Sequence, residues 1–140
     1  MKHWRSDLPT SEYRFILSPN EMKQYLGVDI IEISRIEKAA ARWGDAFLDR
    51  IFTPAEKAKY RNRPESLAAR FAAKEATVKA LGCNEIIYRD IEIISDPGQR
   101  PEIKLYGRAN AIAHEMGIDN LAVSLSHSRD YAVAVVSGFS

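Results

Sequence analysis

Residues 65–81 read Glu-Ser-Leu-Ala-Ala-Arg-Phe-Ala-Ala-Lys-Glu-Ala-Thr-Val-Lys-Ala-Leu, a run of strong helix formers with no internal Gly or Pro. Pro64 precedes it and Gly82 follows it. Side chains that lose little freedom in a helix, closed by a glycine stop, predict one long helix over Glu65–Leu81. Leu67, Phe71, Val78 and Leu81 share an apolar side at helical spacing. In a chain of 140 residues, such a helix dominates a single domain and leaves little room for a second.

The remaining segments are short. Leu26–Ile33 is β-branched and predicts a strand. Ser34, with Glu37 three residues on, has the pattern of a capping box for a helix over Arg35–Trp43 that stops at Gly44. Phe47, Leu48, Ile51 and Phe52 recur at helical spacing. Thr53-Pro54-Ala55-Glu56 is a helix start, with Thr53 as N-cap, Pro54 at the first helical position and Glu56 closing the box. Asp90–Ile94 and Glu102–Leu105 read as strands around an Asp96-Pro97-Gly98-Gln99 turn. Arg108–Met116 reads as a helix, and Leu121–Leu125 with Tyr131–Val136 as a hairpin joined by Ser126–Asp130. Strands joined mostly by hairpins give an α+β expectation: a mainly antiparallel sheet packed against the long helix. Residues 1–25, polar with Pro9 and Pro19, read as an N-terminal extension with a short amphipathic turn near Glu21–Tyr25; residues 26–140 read as the domain.

Charge and cysteine content narrow the function classes. Lys and Arg number 20 against 19 acidic residues, a net charge of +1, so no global field draws the chain to nucleic acid. Any anionic ligand must meet a local basic cluster. Cys83 stands alone, which excludes an internal disulfide framework and makes a cytoplasmic setting the expectation. No apolar h-region follows the basic start, and no apolar run is long enough to span a membrane. There is no P-loop, no dinucleotide fingerprint and no zinc pattern.

Two carboxylates stand out. Asp29 lies between Val28 and Ile30, where a carboxylate is costly without a partner or a metal; it equally fits an outward position on a half-exposed strand, as Glu32 does. Glu75 lies mid-helix in one row with Phe71 and Lys79, while Arg70 and Lys74 form the adjacent row. Taken alone, Glu75 and Lys79 are also an ordinary i,i+4 ion pair. Together the groups suit a magnesium–diphosphate site: Mg²⁺ takes one or two carboxylates and completes its shell with water and phosphate. Lys79 would neutralise a diphosphate as a point charge, and Arg70 would grip it with its fork. Ser126-His127-Ser128 could contact a phosphate or be a polar turn.

These pieces, in order over residues 27–136, resemble the holo-acyl-carrier-protein synthase family of phosphopantetheinyl transferases, in its short single-domain form. The likeness rests on Gly27-Val28-Asp29-Ile30-Ile31-Glu32-Ile33 with Arg35-Ile36-Glu37, on Phe52-Thr53-Pro54-Ala55-Glu56, and on Arg70-Phe71-Ala72-Ala73-Lys74-Glu75-Ala76 with Lys79-Ala80-Leu81-Gly82. Asp90-Ile91-Glu92-Ile93, the Gly98–Pro101 turn, Ser124-Leu125-Ser126-His127 and Tyr131-Ala132-Val133-Ala134 complete it. The resemblance implies transfer of 4′-phosphopantetheine from coenzyme A to a serine of an apo-acyl carrier protein, releasing 3′,5′-ADP. It implies that Asp29 and Glu75 hold Mg²⁺, that Lys79 neutralises the diphosphate and assists proton transfer, and that Ser126 and His127 lie near the nucleotide end of coenzyme A. It further implies that the helix bearing Arg35 faces the acidic carrier protein, that fatty acid biosynthesis is the default setting, and that the chain forms a homotrimer with sites between subunits. Nucleic acid and membrane have no part in it. A non-catalytic carrier-binding module of the same fold and a different magnesium nucleotidyl or phosphoryl enzyme are the competing expectations. Two segments depart from the family pattern. Cys83–Tyr88 is short and lacks the glycine-bearing loop that family members usually carry there, and residues 1–25 have no counterpart.

Overall fold

A computed structural model describes residues 22–140; the expected N-terminal extension therefore lies almost wholly outside the described residues. The chain runs β1 (Gln24–Glu32), α1 (Ile33–Trp43), α2 (Asp45–Ile51), α3 (Pro54–Tyr60) and α4 (Pro64–Leu81). It continues through a 3₁₀ turn (Tyr88–Asp90), β2 (Ile91–Ile94), β3 (Glu102–Leu105), α5 (Gly107–Glu115), β4 (Leu121–His127) and β5 (Tyr131–Phe139). The strands form two antiparallel sheets, one ordered β1-β5-β4 and the other β2-β3. The α+β expectation therefore holds, with the strands divided between two sheets. Gln24 and Tyr25 open β1, so the expected turn does not extend to them.

The long helix is more deeply enclosed than its leucine and phenylalanine spacing predicts. Leu67 and Leu81 are buried, but Phe71 and Val78 are only partly so. The buried surface of α4 is instead mostly alanine: Ala68, Ala69, Ala72, Ala73, Ala76 and Ala80. Small side chains let a backbone approach closely, and the facing strands answer with Ala132, Ala134 and Gly27. A Cβ added at Gly27 would lie 1.8 Å from the Ala76 carbonyl oxygen. Only a glycine permits β1 to lie this close to α4, since interiors have no spare volume. The helix ends where expected, at Gly82 with φ of 67° and its N–H on Val78 O at 2.9 Å, a left-handed stop that glycine adopts at no steric cost.

The capping box at Thr53 and Glu56 is present on both sides: Glu56 N donates to Thr53 Oγ1 at 3.2 Å and Thr53 N to Glu56 Oε1 at 2.9 Å. The expected box at Ser34 and Glu37 is not. Helix α1 starts two residues earlier, at Ile33, with Glu32 at the N-cap and no side-chain cap. Ile33 N donates to Asp130 O at 2.9 Å, so a carbonyl of the β4–β5 hairpin takes the first N–H of the helix, and Ser34 lies inside the helix rather than at its cap. The hairpin is also tighter than expected. Ser126 and His127 are paired residues of β4, and only Ser128–Asp130 form the turn.

Candidate functional site

The alternation of β1 decides where Asp29 points. Leu26, Val28 and Ile30 are exposed, whereas Gly27 and Ile31 are buried against α4. Asp29 shares the face of Gly27 and Ile31, since successive strand residues point to opposite sides. Its side chain is only 18% exposed, which rules out the outward position. The carboxylate meets Lys79, whose Nζ donates to Asp29 Oδ1 at 3.1 Å and to Val28 O at 3.0 Å. The within-helix pair of Glu75 with Lys79 does not form among the described residues. Lys79 reaches across to the strand instead.

Glu75 accepts a hydrogen bond from Tyr88 Oη at 2.6 Å. The Tyr88 ring lies against Phe71, one turn before Glu75, at 5.7 Å between centroids and 55° between planes. Burial pushes the Tyr88 hydroxyl well above the usual tyrosine range, followed by its bond to Glu75 and by the charges of Glu75 and Asp29. The phenol therefore stays protonated and donates. Tyr88 thus feels both carboxylates, one on β1 and one on α4. Among the described residues neither Asp29 Oδ2 nor Glu75 Oε2 has a hydrogen-bond partner. Two hard oxygen donors with unengaged atoms fit a hard divalent cation that fills the rest of its shell with water and phosphate. No group of three or more metal-ligating side chains occurs among the described residues.

The structure separates the other expected site residues from this cluster. Arg70 is 5% exposed and its donors are spent inward, on Ile93 O at 3.2 Å, Tyr60 Oη at 2.9 Å and Ser95 Oγ at 3.0 Å. Its guanidinium also stacks over the Tyr60 ring at 3.7 Å. A fork so engaged holds α3, α4 and β2 together, and the expected grip on a diphosphate does not arise within this chain. Ser126 and His127 are exposed on β4, at the far edge of the three-stranded sheet. His127 pairs with Ala132, and Ala132 with Ile31, which sets His127 two strands, or about 10 Å, from β1. Its Nδ1 lies 3.3 Å from Ser128 O. Arg35 is exposed on α1 beside exposed Lys38 and Arg42.

Sequence reasoning missed Tyr88 and the partner of Lys74. Lys74 is fully buried against Glu56 at 2.7 Å, and its Nζ also donates to Tyr88 O at 3.0 Å and to Ile91 O. A signal was available. A lone ammonium between Ala72, Ala73 and Ala76 is rarely buried without a partner, and Glu56 is the acidic residue of the neighbouring helix start. Tyr88 carried no such signal, because its role arises from a loop that folds back over α4.

A family model, the 4′-phosphopantetheinyl transferase superfamily, matches residues 25–136. The chain belongs to this superfamily. A holo-[acyl-carrier-protein] synthase of Dehalococcoides mccartyi is 54% identical to this phosphopantetheinyl transferase over 113 residues, covering 80% of this chain and 95% of that one. The corresponding protein of Herpetosiphon aurantiacus is 46% identical over 121 residues, covering 80% and 95%. Among solved structures, Helicobacter pylori holo-[acyl-carrier-protein] synthase in complex with coenzyme A superposes with a TM-score of 0.71 at 36% identity, covering 79% of this chain and 96% of that one. This transferase thus shares the fold and nearly the full length of its relatives.

Proposed function

We propose that this phosphopantetheinyl transferase moves 4′-phosphopantetheine from coenzyme A to a serine hydroxyl of an apo-acyl carrier protein. The serine oxygen forms the new bond to phosphorus, the bond to the nucleotide oxygen breaks, and 3′,5′-ADP leaves. The observation that carries this reading is the bond of Lys79 Nζ to Asp29 Oδ1 where β1 crosses α4, with Glu75 one turn before Lys79 on the same helix, in a chain of this family. The coenzyme A bound by the Helicobacter pylori relative supports the donor.

Phosphoryl transfer asks for positioning and charge neutralisation more than for a protein nucleophile, in keeping with a carboxylate–ammonium cluster. Asp29 and Glu75 would hold the metal, for which we propose Mg²⁺. When bound, it supplies Lewis-acid stabilisation of charge on the diphosphate. Lys79, with its side chain 55% exposed, is held by Asp29 and Val28 O yet open to an incoming phosphate. Glu75 and Lys79 are both candidates to receive the serine proton. The attacking hydroxyl comes from the partner, and the exposed basic row of Arg35, Lys38 and Arg42 on α1 suits an acidic carrier protein.

The outer face of the β1-β5-β4 sheet exposes Leu26, Val28, Ile30, Val135 and Phe139. An apolar sheet face of that kind marks an interface, and we propose that it joins three copies. Ser126 and His127, stranded at the sheet edge, would then serve the nucleotide end of coenzyme A in a neighbour's site. We further take residues 26–140 as the transferase domain and 1–25 as an extension. No described helix is long and apolar enough to cross a membrane, and a cytoplasmic location with a role in fatty acid biosynthesis completes the reading.

The deciding experiment incubates the protein with coenzyme A, Mg²⁺ and an apo-acyl carrier protein and weighs the carrier by intact mass spectrometry. A gain of one phosphopantetheine, lost with EDTA and with Glu75→Ala, is the expected result. A folded protein that modifies no carrier would instead be a carrier-binding module.

A further inference from the structure

We propose that Tyr88 is a positioning residue for Glu75, fixing which carboxylate oxygen is offered to the metal; this rests on the metal-site reading above. A glutamate side chain on a half-exposed helix face has three rotatable bonds and loses that freedom on binding an ion. Here the loss is already taken. Tyr88 Oη donates to Glu75 Oε1 at 2.6 Å, which leaves Oε2 as the oxygen free among the described residues.

Tyr88 is itself held at three points by successive positions of α4. Its ring rests on Phe71. Its carbonyl accepts from Lys74 Nζ at 3.0 Å, and Lys74 is anchored on Glu56. Its hydroxyl binds Glu75. The short segment from Cys83 to Ile87 brings the chain directly from the end of α4 back to this point. The buried Lys74–Glu56 pair therefore acts on the site through the Tyr88 backbone, and the phenol transmits that order to the carboxylate. Outer groups that orient a metal ligand commonly change metal affinity by about ten- to a hundredfold when removed.

The test measures Mn²⁺ binding to the full-length protein by electron paramagnetic resonance for wild type, Tyr88→Phe and Glu75→Ala. Tyrosine ultraviolet difference spectra are recorded on metal addition. Tyr88→Phe keeps the ring on Phe71 and loses only the hydroxyl. The expected result is Mn²⁺ binding about tenfold weaker in Tyr88→Phe, together with a metal-induced tyrosine band present in wild type and absent in that variant. A purely structural role would not produce the band. Unchanged or tighter binding in Tyr88→Phe, with Glu75→Ala abolishing it, overturns the positioning role while the metal site stands. Binding that survives Glu75→Ala overturns the metal-site reading itself.

Discussion

Lys74 Nζ lies 2.7 Å from Glu56 Oε1, and neither side chain has any exposure to solvent. Burial holds the ammonium below the usual lysine range, and the charge of Glu56 opposes that fall. Every donor and acceptor around the pair is used. Glu56 Oε2 accepts from Ile93 N at 2.8 Å, and Lys74 also binds Tyr88 O and Ile91 O. One contact thereby ties α3, α4, the 3₁₀ turn and β2.

Removing one partner leaves an uncompensated buried charge. Lys74→Met is expected to lower stability by about 3–5 kcal/mol, measured by urea unfolding. Lys74→Met combined with Glu56→Gln should recover part of that loss, because no lone charge remains inside. A single-variant loss under about 1 kcal/mol would contradict the network.

Gly27→Ala places a methyl group 1.8 Å from the Ala76 carbonyl oxygen. Neither backbone has room to yield, so β1 must move off α4. The expected cost is about 3 kcal/mol or more, at the upper end of overpacking. The same shift carries Asp29 away from Lys79, so transfer activity should fall even in the fraction that remains folded.

Lys79→Met removes the only cation bonded to Asp29 among the described residues. Its side chain is 55% exposed, so the melting temperature should change little. The transfer rate should fall by about a hundredfold, the scale seen when one charge-stabilising donor is lost. A variant with wild-type rate would remove Lys79 from the mechanism.

Val28 and Ile30 are 56% and 63% exposed on the outer sheet face. Val28→Lys together with Ile30→Lys should leave the helical circular dichroism of one chain intact. Sedimentation should show the proposed trimer in wild type and monomers in the double variant. If the double variant sediments as wild type does, the contact between copies lies elsewhere.

Asp45 is held below its usual 3.8, chiefly by its hydrogen bond to Lys57, then by the charge of Lys57 and the nearby Arg61. A carboxyl whose folded value is lowered stabilises the protein above its unfolded value and loses that contribution as pH falls through the folded one. The difference in melting temperature between wild type and Asp45→Asn should therefore be present at neutral pH, shrink below the unfolded 3.8 and shrink with added salt. A difference that persists unchanged under strong acid would assign the effect to packing.

Much of the architecture was legible along the chain. The long helix, its stop at Gly82 and the box at Thr53–Glu56 depend on neighbours a few residues apart, and each formed where expected. The resemblance, carried by short ordered motifs, singled out Asp29, Glu75 and Lys79. Ser34 shows the limit of local reading. Its box was sound in isolation, yet the helix begins at Ile33, whose N–H is taken by the carbonyl of Asp130, distant in sequence, and Ser34 falls inside it.

The sequence by itself determined the kinds of element, their order, the family and the acidic and basic groups available for chemistry. These follow from propensity and motif, which act over a few residues. Only the tertiary structure decided which of those groups meet. It turned Asp29 inward because Gly27 and Ile31 share its face. It drew Lys79 away from Glu75 to the strand and spent Arg70 inside the core. It also set Tyr88 on Glu75. Charges are directed by what lies opposite them across the packed interior, and that neighbourhood exists only once the strands have closed against the helix.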